Sequence, residues 1–492
     1  MSQACYNFAA GFNSLSQEHN HIKLSNPENN ILTWLNGSLI KVGPAQFTIG
    51  KTKVNHWFDG LAMLYKLEYN NGNITFSNLF IRSEQYQAHK NGKMQCDEFA
   101  TKAPLKLLER LKNIFATMAG KTTLNPSCNV NVSKMNNTFI AMTEVNNQIE
   151  FNPSTLDTLK QIIYTDNLDG QMTTAHPVLD NKTQELFNIL IDIKPNKIKY
   201  QIYKTNIQTP QATRELVADF TRTYLFYMHS FFVTSNYIIV YNGPLQTTAT
   251  SLLSKPFNQA LKYNKNHQCE FIVIDRHSGK LIVMPVEPML FLHGINSYEI
   301  AAGEIIIDLI AYHKEENPYN NFYFKEITNN HLDLTTEVRR YTLNTQNNNV
   351  QYEILSQNTI EFPFINPKFQ NHEYRYIFAT YRDESRPNDF LNGLIKIDLQ
   401  NPQDKLTWHQ PNLYPSEPIF VKNPESKSED DGILMTNAFD SARQISLLLL
   451  LDAKNFTEIA RIDLPCHIPF TLHGNFYTHQ DLSRRKHKEF KI

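Results

Sequence analysis

Short apolar runs separated by turn residues recur along most of this chain, and they constrain its fold more than any other feature. Residues 271–276 and 281–286 are two such runs, and the turn between them contains Gly279, which is typical of a β-hairpin. The same order of apolar run, Asp, turn and second run recurs at 393–408 and 447–464. Many short strands without alternating helices predict an all-β sandwich, barrel or propeller. Over 492 residues without a clear linker, a propeller is the most economical of these.

Charge and length limit the partners and the domain organisation. The chain carries a formal net charge of −1, whereas a nucleic-acid-binding protein needs a basic surface. We therefore expect no nucleic acid partner. Hydrophobic residues make up 41% of the chain, which is enough for a large core. The length fits either three ordinary domains or one large domain.

The cysteines and the apolar runs indicate where the protein resides. No two cysteines form a Cys-x-x-Cys pair, which indicates reduced thiols in a cytosolic protein. The N-terminus lacks a basic segment followed by an apolar one, so no secretory signal is expected. The longest apolar runs are far shorter than the ~20 residues of a membrane-spanning helix. We expect a cytoplasmic protein that is soluble or peripherally bound to a membrane. The five cysteines are Cys5, Cys96, Cys128, Cys269 and Cys466.

One segment, 101–120, has a helical rather than a strand-like pattern. After Pro104, apolar residues recur at helical spacing with basic residues among them. The segment is either an amphipathic helix that covers the β core or a basic amphipathic helix that lies on a membrane surface. The pattern alone favours the helix that covers the core. The apolar residues are Leu105, Leu107, Leu108, Leu111, Ile114, Phe115 and Met118.

Four of the 17 histidines share a setting, because each lies at the end of an apolar or strand-like run. They are far apart in the chain, without a local ligand spacing such as His-Glu-x-x-His. They could meet only if successive parts of the chain converge on one axis, as the inner strands of a propeller do. From spacing alone, structural histidines are the default interpretation. The four are His176, His229, His293 and His473.

A series of short motifs runs in a fixed order along the chain. Each motif is of modest specificity, but the complete series is highly specific. It comprises Trp34-Leu-Asn-Gly-Ser-Leu, Val42-Gly-Pro44, His56-Trp-Phe-Asp-Gly60, Ala141-Met-Thr-Glu144, the four histidine segments, Glu361-Phe-Pro363 with Tyr374-Arg-Tyr376, Ser416-Glu-Pro-Ile-Phe-Val421, Ser428-Glu-Asp-Asp-Gly432 and Pro469-Phe-Thr-Leu-His-Gly474. Over nearly its whole length the chain resembles the carotenoid cleavage oxygenase family, in its animal-like branch of carotenoid oxygenases and retinoid isomerases.

The resemblance implies a fold and a metal centre. The fold is a seven-bladed β-propeller with a helical dome over one face, formed by a single domain over 1–492. The resemblance places iron(II) on the propeller axis, with His176, His229, His293 and His473 as its ligands. It also places three glutamates behind these histidines, at Glu144, Glu361 and Glu417.

This residue set suits the implied metal. Neutral imidazoles are good ligands for iron and add no negative charge to it. The second ring N–H of each histidine can be oriented by a carboxylate. Fewer than six protein ligands leave a position for O₂, the expected co-substrate.

The implied reaction is the oxidative cleavage of a conjugated C=C bond in a carotenoid or apocarotenoid, which yields two carbonyl products. The aromatic-rich composition is compatible with an apolar tunnel for a polyene and equally with an ordinary core. Such substrates dissolve in membranes, and the family binds membranes peripherally. The resemblance therefore favours the membrane interpretation of 101–120, with Leu108, Leu111 and Phe115 as the contacting residues.

Departures from the family pattern leave the substrate open. Ser235 stands where many relatives have an acidic residue, and Phe364 stands where an arginine is common in several branches. A Pro-Asp-Pro-Cys-Lys stretch typical of vertebrate retinoid isomerases is not evident, so oxygenase is preferred over isomerohydrolase. Within the family, a retinoid isomerohydrolase or a stilbene-cleaving oxygenase is the alternative. A catalytically inactive ligand-binding propeller is the alternative of another class, and the complete set of histidines and glutamates argues against it.

Overall fold

The computed structural model describes residues 8–25, 34–95, 99–102, 127–135, 137–206, 213–329 and 332–483. Almost all of the amphipathic segment predicted at 101–120, with Leu108, Leu111 and Phe115, lies outside these residues. Among the helices of the described residues, none has the length and the apolar character needed to cross a membrane.

Strands account for nearly half of the described chain and for far more of it than helices do. The first twelve are β1 His19–Lys23, β2 Gly37–Gln46, β3 Thr48–Ile49, β4 Thr52–Lys53, β5 Leu61–Asn70, β6 Asn73–Phe80, β7 Asn131–Met135, β8 Thr138–Met142, β9 Ile149–Phe151, β10 Thr158–Gln161, β11 Met172–Thr173 and β12 Val178–Asp180. The next twelve are β13 Glu185–Lys194, β14 Lys197–Asn206, β15 Glu215–Arg222, β16 Leu225–Phe226, β17 Phe232–Val233, β18 Tyr237–Asn242, β19 Leu245–Thr247, β20 Lys262–Tyr263, β21 Glu270–Asp275, β22 Leu281–Pro285, β23 Leu290–Ala301 and β24 Glu304–Tyr312. The last are β25 Thr336–Asn344, β26 Asn349–Ser356, β27 Ile360–Phe364, β28 Tyr376–Tyr381, β29 Gly393–Asp398, β30 Lys405–His409, β31 Leu413–Pro415, β32 Ile419–Lys422, β33 Gly432–Asp440, β34 Ile445–Asp452, β35 Glu458–Asp463 and β36 Gly474–Thr478.

The helices of the described residues are short. The α-helices are α1 Glu84–Lys90, α2 Ala249–Ser254, α3 Phe257–Ala260, α4 Phe324–Thr328 and α5 His479–Leu482. The 3-10 helices are Phe8–Phe12, Trp57–Asp59, Pro318–Phe322 and Pro367–Phe369. This part of the chain is therefore all-β, as the recurring apolar runs predict.

Within the described residues the strands form seven sheets of four or five strands, besides a three-stranded sheet β16-β19-β20 and the pair β3-β4. The order in the first sheet is β1-β6-β5-β2-β36, and in the second β10-β9-β8-β7. The other five are β11-β13-β14-β15 with β12 on β13, β17-β18-β21-β22, β23-β24-β25-β26, β27-β28-β29-β30, and β31-β33-β34-β35 with β32 on β33. Six of the seven sheets keep their strands in chain order, and in three of them, β7–β10, β23–β26 and β27–β30, the paired strands are strictly consecutive. Local hairpin patterns are therefore readable in the sequence.

The three hairpins predicted from the apolar runs are confirmed. β21 pairs with β22, β29 with β30 and β34 with β35, each in antiparallel register. In the first of these hairpins, Gly279 has a φ of +69° and its N–H donates to the Asp275 carbonyl at 2.9 Å. A positive φ is cheap only for glycine, so Gly279 gives the turn its shape.

The apolar run of β34 is buried on both of its faces. Leu447, Leu449 and Leu451 pack into one hydrophobic cluster, and Leu448 and Leu450 pack into another. Side chains alternate between the two faces of a strand, so both faces of this sheet are covered. This double burial explains why the sequence shows a continuous apolar run here rather than an alternating one.

The two ends of the described chain meet in the first sheet. β36, the last strand, pairs antiparallel with β2, so that Gly37 lies opposite Thr478 and Lys41 opposite Gly474. β2 also pairs with β5 on its other side. The last strand therefore brings the segment around residue 473 against a strand from the N-terminal part of the chain.

Candidate metal centre

Four histidines from different sheets meet in the interior of the protein. His176 lies between β11 and β12, His229 between β16 and β17, His293 within β23, and His473 directly before β36. One ring nitrogen from each comes within 4.8 Å of the corresponding atoms of the other three. The structure thus brings together the four histidines that the sequence singled out.

The facing atoms are the Nε2 nitrogens. Nε2 of His176 lies 2.9 Å from Nε2 of His229, and Nε2 of His293 lies 3.2 Å from Nε2 of His473. A first-row metal ion bound at roughly 2.1 Å would hold two nitrogens at right angles ~3.0 Å apart. The spacing of the two pairs is therefore that of ligand atoms around one ion.

Carboxylates lie behind three of the four rings. Nδ1 of His229 is 2.6 Å from Oε1 of Glu144, and Nδ1 of His473 is 2.7 Å from Oε1 of Glu417. Nδ1 of His293 makes a short hydrogen bond to Oε2 of Glu361. All three glutamates predicted from the sequence therefore contact clustered histidines.

These hydrogen bonds fix which ring nitrogen carries the proton. An ionised carboxylate only accepts hydrogen bonds, so Nδ1 of each of the three rings is the donor. For His293 and His473 this leaves a lone pair on both Nε2 atoms, which face each other at 3.2 Å. Two facing lone pairs repel each other unless a cation lies between them. The donor set of this cluster therefore fits a metal ion.

The ionisation states agree with this assignment. Burial lowers the pKa of His229 and of His473, although the neighbouring glutamates oppose the shift. Burial and the three neighbouring imidazoles lower the pKa of His176 well below its ordinary value. These rings are therefore neutral near pH 7 and can offer a lone pair. Burial raises the pKa of Glu361, but His293 and the hydrogen bonds of Tyr312 outweigh it and leave the pKa lowered.

Each carboxylate also has a second partner. The Tyr227 hydroxyl lies 2.6 Å from Oε1 of Glu144 and 2.5 Å from the Tyr319 hydroxyl. The Tyr312 hydroxyl donates to Oε1 of Glu361 in a short hydrogen bond. The ammonium of Lys41 lies 3.6 Å from Oε2 of Glu417.

Sequence reasoning missed these four residues. The sequence could have indicated Tyr227, because this residue lies two positions before His229. In an extended segment, residues two apart point to the same side. Tyr312, Tyr319 and Lys41 lie far from their partners in the chain and left no such signal.

An aromatic ring lies against two of the clustered histidines. The Phe362 ring centroid is 5.5 Å from that of His293 and 5.4 Å from that of His473. Phe362 has a φ of +54° at an irregularity of register in β27, between Glu361 and Phe364. An L-residue with a side chain this large seldom adopts that conformation, which is a form of strain found at functional sites.

A small cavity opens beside His229. Its walls are mostly apolar and aromatic, with a few polar atoms, as in many small-molecule sites. They are formed by Tyr227, Met228, His229, Ser230, Tyr241, Gly243, Pro244, Leu245, Leu290, Phe291, Leu292 and Pro318.

An all-β fold that gathers four imidazoles, three of them backed by carboxylates, defines a candidate metalloprotein of the non-heme type. The family model described as retinal pigment epithelial membrane protein (RPE65) matches residues 16–478. The chain therefore belongs to the family of RPE65 and the carotenoid oxygenases, which confirms the resemblance seen in the sequence motifs.

Curated relatives match the chain over nearly its whole length. The β,β-carotene 15,15′-dioxygenase of Gallus gallus is 27% identical, over 96% of this chain and 98% of the relative. The carotenoid isomerooxygenase of Galleria mellonella is 28% identical, over 91% of this chain and 92% of the relative.

Solved structures show the same fold. Cobalt-substituted Synechocystis ACO has a TM-score of 0.81 at 23% identity, over 96% of this chain and 98% of that one. An ACO/RPE65 chimera also has a TM-score of 0.81 at 23% identity, with the same coverage.

Proposed function

We propose that this protein is a non-heme iron(II) dioxygenase that cleaves one conjugated C=C bond of a carotenoid or apocarotenoid into two carbonyl products. The observation that carries the proposal is the convergence of the Nε2 atoms of His176, His229, His293 and His473. The names of the curated relatives, among them carotene dioxygenases, support the reaction class.

The proposed architecture is one domain over 1–492 in which the seven sheets are the blades of a propeller. The positions of the histidines support it, because each lies beside or within a strand at one end of a sheet, namely β11, β17, β23 and β36. Strands at one end of each blade line the axis of a propeller. The helical dome over one face belongs to the same proposal.

In the proposed centre, His176, His229, His293 and His473 hold iron(II), which when bound supplies the activation of O₂. The chain contributes orientation and charge. Glu144, Glu361 and Glu417 fix the rings of three ligands and keep the proton on Nδ1. With imidazole nitrogens as the only protein ligands, the four rings add no charge of their own to the ion.

An apolar polyene offers no groups for hydrogen bonds, so its position must come from shape and apolar contact. Phe362 lies against His293 and His473, where it would contact a substrate held beside the metal. Tyr319 and Phe99 pack edge to face at 5.3 Å near the same centre. We expect these rings to exclude water and to align the double bond.

The test is a product screen on anaerobically purified, iron-loaded protein. β-Carotene, apocarotenals and resveratrol are offered with O₂, and mass spectrometry with chiral and isomer-resolving chromatography identifies the products. We expect O₂-dependent carbonyl products from a carotenoid or apocarotenoid. Resveratrol cleavage would indicate a stilbene oxygenase, and isomerised products would indicate a relation to the isomerooxygenase of Galleria mellonella.

Two variants make this test specific to the metal centre. His293→Ala should lose both iron and activity, because it removes one ligand and leaves Glu361 without its histidine partner. His467→Ala is the control, since His467 contacts the Asn13 carbonyl at 3.3 Å and is outside the cluster. Absence of cleavage by iron-loaded protein, or retention of iron and activity in His293→Ala, would refute the proposal.

Peripheral binding to a membrane, by a cytoplasmic protein, is part of the proposed function. Its support is the membrane solubility of carotenoids and the apolar residues of 101–120. In liposome flotation, Leu108→Glu combined with Phe115→Glu should bind vesicles at least several-fold less than wild type. A folded double variant that floats as well as wild type would contradict this part.

A further inference from the structure

Lys41 on β2 is a lysine buried in the protein, with only 2% of its surface exposed. Its Nζ donates to the Glu417 carbonyl oxygen at 3.0 Å and lies 3.6 Å from Oε2 of the same residue. Lysine is seldom buried to this degree without a paired charge. Burial lowers the pKa of Lys41 to about 8, while Glu417 opposes the shift, so the ammonium remains the main form at pH 7.

Glu417 links this lysine to the metal centre. Its Oε1 accepts from Nδ1 of His473 at 2.7 Å, and its Oε2 accepts from the Gly474 N–H at 3.0 Å. One carboxylate thus contacts Lys41, a clustered histidine and the backbone that follows it.

The three carboxylates differ in their outer partners. Glu144 and Glu361 receive hydrogen bonds from the neutral hydroxyls of Tyr227 and Tyr312. Among the residues that the structure describes, Glu417 is the one of the three that pairs with a lysine or arginine, namely Lys41. Three carboxylates and one divalent ion leave a single negative charge, and the Lys41 ammonium balances it. An unbalanced charge in a buried site is costly, so this charge balance affects the oxidation state of the ion.

Gly474 makes room for the lysine. Lys41 lies opposite Gly474 where β2 pairs with β36. A Cβ at position 474 would lie 2.4 Å from Cγ of Lys41 and 2.5 Å from the Ile40 carbonyl oxygen. The residue that follows His473 is therefore the one that lets the Lys41 side chain reach Glu417.

We propose that Lys41 sets the redox balance of the metal centre: its ammonium, held on Glu417, opposes the further positive charge that iron gains when it loses an electron, and so favours iron(II) over iron(III). This role rests on the proposed function, because it needs iron at the four histidines. Lys41 acts through Glu417 and His473 and is a positioning residue that does not contact the ion.

The test is the midpoint potential of iron in the full-length, iron-loaded protein, followed by the ferric EPR signal in an electrochemical titration. In this titration one electron passes from iron(II) to the electrode through a mediator. No bond is made or broken. In Lys41→Met and Lys41→Gln, iron(III) should be favoured about tenfold, which lowers the potential by about 59 mV for a one-electron couple. Gln can still donate an N–H to the Glu417 carbonyl, so this variant separates the charge from the hydrogen bond.

Three further variants test whether the sign of the charge sets the direction of the shift in potential, and whether the shift is specific to Lys41 and Glu417. Lys41→Arg keeps the charge and should keep the wild-type potential, whereas Glu417→Gln removes a negative charge and should raise it. Lys396→Gln neutralises another buried lysine, paired with Asp430 at 2.7 Å in a different sheet, and should leave the potential unchanged. Should Lys41→Met not fold, Lys41→Gln and Glu417→Gln decide by their opposite shifts.

A wild-type potential in the neutral Lys41 variants, or an equal shift in Lys396→Gln, would overturn the role of Lys41. The potential is measured without substrate. Iron-loaded protein that cleaves no polyene would therefore refute the proposed reaction and still show the shift expected for Lys41.

Discussion

Single hydrogen bonds determine what the clustered histidines can do. A carboxylate on Nδ1 turns the Nε2 lone pair of His229, His293 and His473 toward the common centre. Loss of one carboxylate would let that ring take its other tautomer or turn away, which is why such outer partners commonly matter 10- to 100-fold for metal affinity. The geometry of the centre is thus held by histidine–glutamate pairs rather than by the histidines alone.

His56 connects an N-terminal motif to this network. Its Nδ1 accepts from the Phe58 N–H at 3.1 Å, and its Nε2 donates to the Tyr319 carbonyl at 2.9 Å. Tyr319 in turn lies beside Tyr227, as its hydroxyl is 2.5 Å from that of Tyr227. Complete burial lowers the pKa of His56 to about 3, so this ring is neutral in the folded protein.

The depressed pKa of His56 predicts a pH-dependent stability. Below pH ~6.5 the unfolded chain binds a proton at His56 that the folded protein refuses until about pH 3. The free energy of unfolding should therefore fall as the pH drops through this window, with His56 contributing up to about 1.4 kcal/mol per pH unit. Asp59, whose pKa is raised to about 6 by burial, opposes this trend, so the comparison must be with a variant.

The measurement is urea unfolding of metal-free wild type and His56→Gln between pH 4 and pH 6.5. The variant should be less stable at pH 6.5 but lose stability less steeply on acidification. If the free energy of unfolding fell equally steeply with pH in the two proteins, the assignment of this proton to His56 would be contradicted.

At the scale of elements, the irregularity in β27 places two functional side chains at once. Glu361 reaches His293, and the next residue, Phe362, lies against both His293 and His473. In a regular strand these neighbours would point to opposite faces. The register shift between Glu361 and Phe364, with a φ of +54° at Phe362, brings both to the centre.

This backbone conformation predicts an unusual order of stability. A protein with Gly inside a strand is ordinarily about 0.5–1 kcal/mol less stable than the same protein with Ala there. At position 362 the left-handed conformation costs an L-residue roughly 1 kcal/mol, so Phe362→Gly should be at least as stable as Phe362→Ala. The free energy of unfolding from chemical denaturation gives the answer.

Phe378 provides the matched pair for this comparison. It is fully buried in β28 of the same sheet, where it lies opposite Lys396 in regular register and does not have a positive φ. Phe378→Gly should be less stable than Phe378→Ala. The same order at both positions would show that strain at Phe362 does not contribute.

Whether a feature could be predicted from the sequence depended on how far apart its residues lie along the chain. The hairpin at Gly279 is local, because a turn residue and two apolar runs define it, and it was predicted correctly. The Lys41–Glu417 contact joins residues 376 positions apart, and no periodicity or spacing encodes it. The four histidines lie between these cases, since the motif series named them while spacing alone left them as structural residues.

At the scale of the whole molecule, the candidate metal centre depends on the pairing of β36, the last of the described strands, with β2. His473 is held between Val42, whose N–H donates to its carbonyl at 3.0 Å, and Val130, whose carbonyl accepts from its N–H at 3.1 Å. His473 directly precedes β36, so the pairing of β36 with β2 positions this histidine beside the other three. Closure of the first sheet and completion of the four-nitrogen cluster therefore depend on the same strand.

This coupling predicts how metal and truncation affect stability. An ion that binds only the folded protein stabilises it by about 2.7 kcal/mol at a hundredfold excess over Kd. A chain ending at residue 483 keeps β36 and His473 and should show this gain in thermal unfolding when iron(II) is added anaerobically. A chain ending at residue 472 loses the strand and the ligand, which leaves an edge of β2 unpaired. It should start less stable and gain nothing from iron(II), and an equal gain in both chains would show that His473 is not required for binding.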